Sequence, residues 1–364
     1  MKAHQPDYIL ISLILSIVAF GLIIIANPSI VLSQEIFEES YYFLKHQGFS
    51  VLLGLIFFFI VQRINYKYWQ RFAFPLLILS VILLSLVFIP GLGYGSGQAK
   101  RWIILGIFSF QPFELVRLTF ILYLAALLGK KGRDERQIIK QSLIPFLVAA
   151  GVIALLVMAQ PDFSALFILI TIALIAYFLA GLNIFYLLGF AGLSSVGFLA
   201  LIKMAVYRMN RLIVYFHPEM DPQGIGYQID QALLAIGSGG LFGLGLGHSI
   251  QKWRYLPEPI GDSIFAIIAE ELGLIGAGLL VVLFVLLAWR GLKIARGAPD
   301  KFGLLLAGSI TGWFFIQVFI NMASISNLIP LAGLPLPLIS YGGSAMVVSL
   351  ISLGILVNIS KYTN

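Results

Sequence analysis

Apolar runs long enough to cross a bilayer recur along almost the whole of this sequence. A span needs about 20 apolar residues to cover a hydrocarbon core roughly 30 Å thick. Such runs lie at 8–26, 43–61, 72–90, 112–128, 142–159, 163–180, 184–206, 264–289, 303–321 and 341–359. Only Gln160-Pro161-Asp162 separates the fifth from the sixth. Lipid offers backbone groups no hydrogen-bond partner, so each run must close its own bonds as a helix. The expectation is an all-α polytopic membrane protein of about ten transmembrane helices. A long extracytoplasmic loop, residues 207–263, joins the seventh and eighth. Only 11% of the 364 residues are charged, against about 25% in ordinary soluble domains. A chain this poor in charge cannot cover a water-facing surface, and no polar linker divides it. One membrane domain over residues 1–364 is expected. The first run has no small-residue cleavage site after it and reads as a span, not a removed signal.

Basic residues in short loops mark the cytoplasmic side. Alternate loops hold Lys2, then Arg63, Lys67 and Arg71, then the group from Lys130 to Lys140, then Arg290, Lys293, Arg296 and Lys301, and last Lys361. The first opposite loop is acidic, with Glu35, Glu38 and Glu39. Both termini are therefore expected in the cytoplasm. This bias accounts for the net charge of +7, and no nucleic-acid partner is needed to explain it. The chain has no Cys, so it has neither disulfide nor thiolate ligand, and its His residues are not spaced as a metal pair. Walker A and dinucleotide fingerprints are absent.

Three features depart from a plain helix bundle. The stretch 207–263 is long, and long loops carry function more often than not; its Gly-rich part, 237–247, interleaves Leu and Phe as interfacial backbone would. Second, Lys100, Arg101, Arg208, Arg211, Lys252 and Arg254 sit on the outer side, where the positive-inside tendency does not place them. Clustered cations there suit an anionic ligand such as pyrophosphate, although any single one could snorkel at the interface. Third, charge lies inside or between spans: Glu114 and Arg117 on one helix face, Asp162 beside Pro161, and Glu270 with Glu271. Ionisable groups in a membrane mark functional cavities or structural pairs. Asp262 precedes the helix expected from Ser263, so it reads either as an N-cap or as a catalytic carboxylate beside the basic loop.

At four places these residues form motifs: Ala99-Lys100-Arg101-Trp102 followed by Gln111-Pro112-Phe113-Glu114; Gln160-Pro161-Asp162; Tyr255-Leu256-Pro257-Glu258 followed by Asp262-Ser263-Ile264-Phe265-Ala266 and Glu270-Glu271-Leu272-Gly273; and Pro335-Leu336-Pro337-Leu338-Ile339-Ser340-Tyr341-Gly342-Gly343-Ser344. Together they resemble the SEDS family of shape, elongation, division and sporulation proteins, over essentially the whole chain. Tyr207-Arg208-Met209-x-Arg211 and Gly245-Leu246-Gly247 are most similar to its division branch, with the elongation and sporulation branches as close paralogues. Ile260-Gly261 and Ser263 stand where the family usually has His-Thr and Phe around the loop Asp.

The resemblance implies a peptidoglycan glycosyltransferase of the bacterial cytoplasmic membrane that polymerises lipid II. Lipid II is a polyprenyl-pyrophosphoryl disaccharide-pentapeptide. It implies Asp262 as catalytic base and Lys100, Arg101, Arg208, Arg211 and Lys252 as pyrophosphate contacts. Glu114, Arg117, Asp162, Glu270 and Glu271 would shape a cavity. A divalent cation, Mg or Mn, is compatible with a pyrophosphate site, but no ligand set announces it. The implied partners are a class B penicillin-binding transpeptidase, other division proteins and membrane lipid. Small residues allow close helix approach, and Gly308 and Gly312 on the ninth span are the expected docking face for the transpeptidase helix. A lipid II flippase or a non-catalytic division scaffold are the alternative readings. The expected topology is tested by single cysteines in this Cys-free chain. Ser238→Cys reacts with an impermeant maleimide from outside, and Gln137→Cys reacts only after permeabilisation; the reverse pattern would invert the orientation.

Overall fold

The computed structural model describes residues 4–363, apart from 97–98, 106–107, 131–134, 204–205, 218–219, 222–223 and 254. Each expected span coincides with a helix. In chain order these are α1 (Tyr8–Phe37), α2 (Tyr42–Val61), α3 (Lys67–Leu86), α4 (Pro112–Leu128), α5 (Glu135–Ala159), α6 (Phe163–Leu179) and α7 (Ile184–Lys203). Two helices, α8 (Val206–Phe216) and α9 (Ile225–Ser238), lie within the stretch expected as a loop. The last three are α10 (Ile264–Arg296), α11 (Lys301–Ile325) and α12 (Gly343–Ser360). Among the described residues, seven helices are long and apolar enough by themselves to cross a membrane. The chain is a multi-pass membrane protein.

Residues 93–110 were not expected to be strands. They form a three-stranded antiparallel sheet, β1 (Gly93–Ser96), β2 (Ala99–Leu105) and β3 (Phe108–Phe110). Tyr94 pairs with Trp102 and Ile104 with Ser109. β-branched and aromatic residues of β2 suit a pleated, half-covered surface, and the sheet delivers the chain to Gln111 at the head of α4.

Helix α11 is the central post: it packs against α10, α6, α4, α12 and α3. Its small residues decide which neighbour approaches closely. A Cβ built on Gly308 would lie 2.5 Å from Leu179 Cδ1, and one on Gly312 would lie 3.0 Å from Ile175 Cδ1. Both neighbours belong to α6. The expected transpeptidase docking face at Gly308 and Gly312 is therefore corrected: these glycines serve internal packing of α6 on α11.

Helix α10 does not run straight through. Gly273 leaves the helical region at φ 65°, ψ −168°. The break frees the carbonyls of Glu270 and Glu271 and the amides of Leu274 and Ile275. The glycine loop after α9 takes all four. Leu244 N donates to Glu270 O at 2.9 Å and Gly245 N to Glu271 O at 3.0 Å, while Leu274 N donates to Gly240 O at 2.9 Å and Ile275 N to Leu241 O at 3.2 Å. This exchange needs backbone against backbone: a Cβ on Gly243, itself at φ +80°, would lie 2.2 Å from Glu271 O.

Overpacking a tight helix contact destabilises by about 1–3 kcal/mol. Gly308→Leu accordingly lowers the melting temperature of the isolated chain. An unchanged melting temperature would return Gly308 to a lipid-facing role.

Candidate functional site

A cavity of about 970 Å³ lies among the sheet with the head of α4, the α5–α6 turn, the approach to α10 and the loop between α11 and α12, with α1 and α2 completing its wall. Arg101, Glu114, Arg117, Asp162, Glu258 and Asp262 line it, together with Tyr341 and His46.

The sequence places each side chain by a local rule. Asp162 N-caps α6, accepting from Ala165 N at 3.1 Å, as short carboxylates at helix starts do. Its other oxygen lies 3.5 Å from Arg101 Nε. Arg101 is fixed further by donating to Pro161 O at 2.8 Å and to Gln160 O at 3.3 Å. β2 and the α5–α6 turn are thereby joined through one guanidinium. Glu114 and Arg117, three residues apart on α4, form a buried ion pair. Arg117 also donates to Gln317 Oε1 at 2.9 Å and lies over the Phe113 and Trp313 rings. Gln317 accepts from Trp313 Nε1 at 2.8 Å and donates to Pro335 O at 2.9 Å. This network ties α4 to α11 and to the loop before α12.

Asp262 is held by its backbone. Asn321 Nδ2 of α11 donates to Asp262 O at 2.8 Å and to Leu334 O at 2.7 Å. Ser340 Oγ donates to Gly261 O at 2.7 Å, and Tyr341 N to Ile260 O at 2.8 Å. The N-cap position of α10 is Ser263 and makes no side-chain cap bond, so the capping role left open for Asp262 does not hold. Across Gly333 stands Arg211, whose Nη1 donates to Leu331 O at 3.2 Å. A Cβ on Gly333 would sit 3.5 Å from Asp262 Oδ2 and 3.7 Å from Arg211 Nη1. Burial and then the Glu258 charge push the Asp262 pKa up to about 6, with the Arg211 guanidinium opposing. At neutral pH the carboxylate is ionised and a better proton acceptor than an ordinary Asp.

Not every expected site residue reaches this cavity. Glu270 and Glu271 do not line it. Both are turned to the glycine loop: Glu270 accepts from Ser249 Oγ and from Ile250 N at 2.9 Å, and Glu271 from Ser249 N at 3.4 Å. Lys252 is buried beside them, donating to Gly247 O and lying 3.9 Å from Glu271 Oε1. The physical reason is the break at Gly273, which leaves both carboxylates beside the free amides of residues 249–251. Lys100 is exposed on β2. The Arg208 side chain lies outside the described residues, as does Arg254. Among the described residues no three His, Asp or Glu side chains converge as a metal site. Sequence reasoning missed Gln317, Trp313 and Asn321. Their signal was present: Gln317 and Asn321 are amides one turn apart in a span, 303–321, otherwise free of amides and charges, and such residues in lipid need partners.

Removing one partner of a buried pair costs about 3–5 kcal/mol because it strands the other charge. Arg117→Met therefore destabilises strongly, and adding Glu114→Leu restores much of the loss. The double variant stays below wild type because Gln317 has lost one of its two donors and keeps only Trp313 Nε1. Melting curves of wild type and the two variants check this ordering.

Comparison with known proteins places these features. Residues 7–364 match the family of cell cycle proteins that comprises FtsW, RodA and SpoVE. Stage V sporulation protein E of Bacillus subtilis is 40% identical over 364 residues, covering 100% of this chain and 99% of that protein. The probable peptidoglycan glycosyltransferase FtsW of Trichlorobacter lovleyi is 39% identical over 360 residues, 99% of this chain and 94% of that one. Among solved structures, a chain described under structural coordination of polymerization and crosslinking by a peptidoglycan synthase complex superposes with TM-score 0.79, at 27% identity and 99% coverage of both chains. The rod shape determining protein RodA of Thermus thermophilus gives TM-score 0.71 at 27% identity, covering 99% of this chain and 98% of that one. With its whole length matched in sequence and in fold, the chain belongs to the FtsW/RodA/SpoVE family of cell cycle proteins.

Proposed function

We propose that this chain is a peptidoglycan glycosyltransferase that polymerises lipid II at the outer face of the bacterial cytoplasmic membrane, with both termini in the cytoplasm. The observation that carries the reading is the setting of Asp262. It is a carboxylate with a raised pKa in a cavity whose walls hold Arg101 and Arg117, and Arg211 stands across Gly333 from it. Relatives bearing the name probable peptidoglycan glycosyltransferase support the substrate class.

In the proposed reaction a sugar hydroxyl of the acceptor attacks C1 of the donor. The new O–C1 bond forms as the bond from C1 to the pyrophosphate oxygen breaks, and the bonding pair leaves with the pyrophosphate. Asp262 accepts the hydroxyl proton. The pyrophosphate departs without needing a proton, so one carboxylate is enough; glycoside hydrolysis, whose leaving oxygen must be protonated, uses two. Arg101 and Arg211 stabilise the charge that develops on the leaving group, with Lys100 as a further contact. Glu258 keeps Asp262 basic, and the Glu114–Arg117–Gln317 network holds the wall against which the donor lies. A crosslinking transpeptidase partner is supported by the solved relative whose complex coordinates polymerization and crosslinking.

Asp262→Asn preserves shape and removes the proton acceptor. The expected result is loss of lipid II polymerisation by purified protein, by at least the 10²-fold typical of a lost general base, with melting unchanged. Wild-type activity rises with pH through about 6, where Asp262 ionises, and is flat above. Activity retained in the Asn variant would reject Asp262 as the base. Transport of lipid II without polymerisation would identify a flippase.

A further inference from the structure

The glycine loop between α9 and α10 carries a crest of apolar side chains that the reaction does not use. Leu241, Phe242, Leu244 and Leu246 are all exposed, Phe242 by 79%. Soluble loops rarely expose so contiguous an apolar patch without a partner. Three observations say what covers it.

The first is continuity. Before the break at Gly273, α10 is buried from Ile264 to Glu271; after it, Leu274, Ile275, Leu279 and Val282 are exposed, as a lipid-facing stripe should be. The loop is bonded to α10 at this changeover, through Gly240, Leu241, Leu244 and Gly245. Its crest therefore extends the lipid-facing stripe past the point where the helix itself turns inside.

The second is depth. Arg290 pairs with Asp7 at 2.7 Å, beside the exposed Trp289, and these charged and aromatic groups mark the inner interface. Seventeen residues of α10 separate Gly273 from Arg290, about 25 Å of helix at 1.5 Å per residue. Independently, Gly247 packs beside Asn27 of α1, 3.4 Å from a built Cβ. Asn27 lies twenty residues, or about 30 Å, above Asp7. Helix tilt only shortens both heights. The crest thus lies within a hydrocarbon core roughly 30 Å thick, in its outer half.

The third is polar satisfaction. Irregular backbone survives at membrane depth only where its groups are met by protein. Here the broken helix and the loop exchange four backbone hydrogen bonds, and Glu270, Glu271, Ser249 and Lys252 close on one another behind the crest.

We propose that residues 240–247 are a re-entrant element whose Leu241, Phe242, Leu244 and Leu246 side chains sit among acyl chains of the outer leaflet. The element anchors the approach to α10, and so the height of the Glu258–Asp262 segment above the bilayer. The assignment does not depend on which reaction the cavity performs.

Single cysteines test it directly in this Cys-free chain. Phe242→Cys, Leu279→Cys as a lipid-facing reference and Asp230→Cys as an aqueous reference are labelled with bimane in phosphatidylglycerol–phosphatidylethanolamine vesicles. Each is quenched by nitroxide at acyl carbon 5 and, separately, by aqueous iodide. The expected result is nitroxide quenching at position 242 equal to that at 279, with iodide quenching well below that at 230. Iodide quenching equal to that at 230, without nitroxide quenching, would overturn the assignment. Loss of the nitroxide effect in native membranes, where protein partners are retained, would give the crest to a partner helix and equally overturn it. If the 242 label lowers the melting temperature, Leu246→Cys supplies the same reading.

Discussion

A polar group inside a bilayer has no water to fall back on, so each must find its partner within the protein. That constraint organises this fold. Helix α11 crosses its centre with two amides one turn apart, and each works in two directions. Gln317 takes bonds from Arg117 and Trp313 and gives one to Pro335. Asn321 gives one to Asp262 and one to Leu334. Four segments distant in sequence, α4, α11, the approach to α10 and the loop before α12, are held in register by these two side chains. The position of the Asp262 carboxylate follows from them, because its own main chain is not in a helix.

The same constraint explains the interrupted α10. A helix that stops bonding at Gly273 exposes two carbonyls and two amides, each costly if unmet. The glycine loop answers all four, and glycine is required because backbone must approach backbone with φ positive at Gly243 and Gly273. The carboxylates of Glu270 and Glu271 are then taken up by the loop beyond. Charges that sequence spacing alone would assign to a central cavity are structural for this reason.

Electrostatically the cavity is asymmetric. Arg101 is tied to Asp162, and Arg117 to Glu114, so neither cation stands as an isolated buried charge. Asp262 has the Glu258 carboxylate on one side and Arg211 beyond Gly333 on the other. A site of this kind keeps one carboxylate basic without leaving a cation unpaired in the absence of substrate.

Much of this was legible in the residues themselves. Length and hydropathy determine spans, since the cost of crossing lipid is paid residue by residue and the signal is local. The positions of α1 to α7 and α10 to α12 follow from it. The carboxylates and cations at 101, 114, 117, 162 and 262 stood out because charge in such a chain is rare. The sheet at 93–110 did not stand out, because its strands are short and its register depends on pairing with segments already in place. Nor did the roles of Glu270, Glu271 and Lys252, or the service of Gly308 and Gly312 to α6. Those were decided by tertiary structure: which helix approaches which, and whose broken backbone needs a partner, are properties of neighbours far apart in the chain, and no spacing within one segment encodes them.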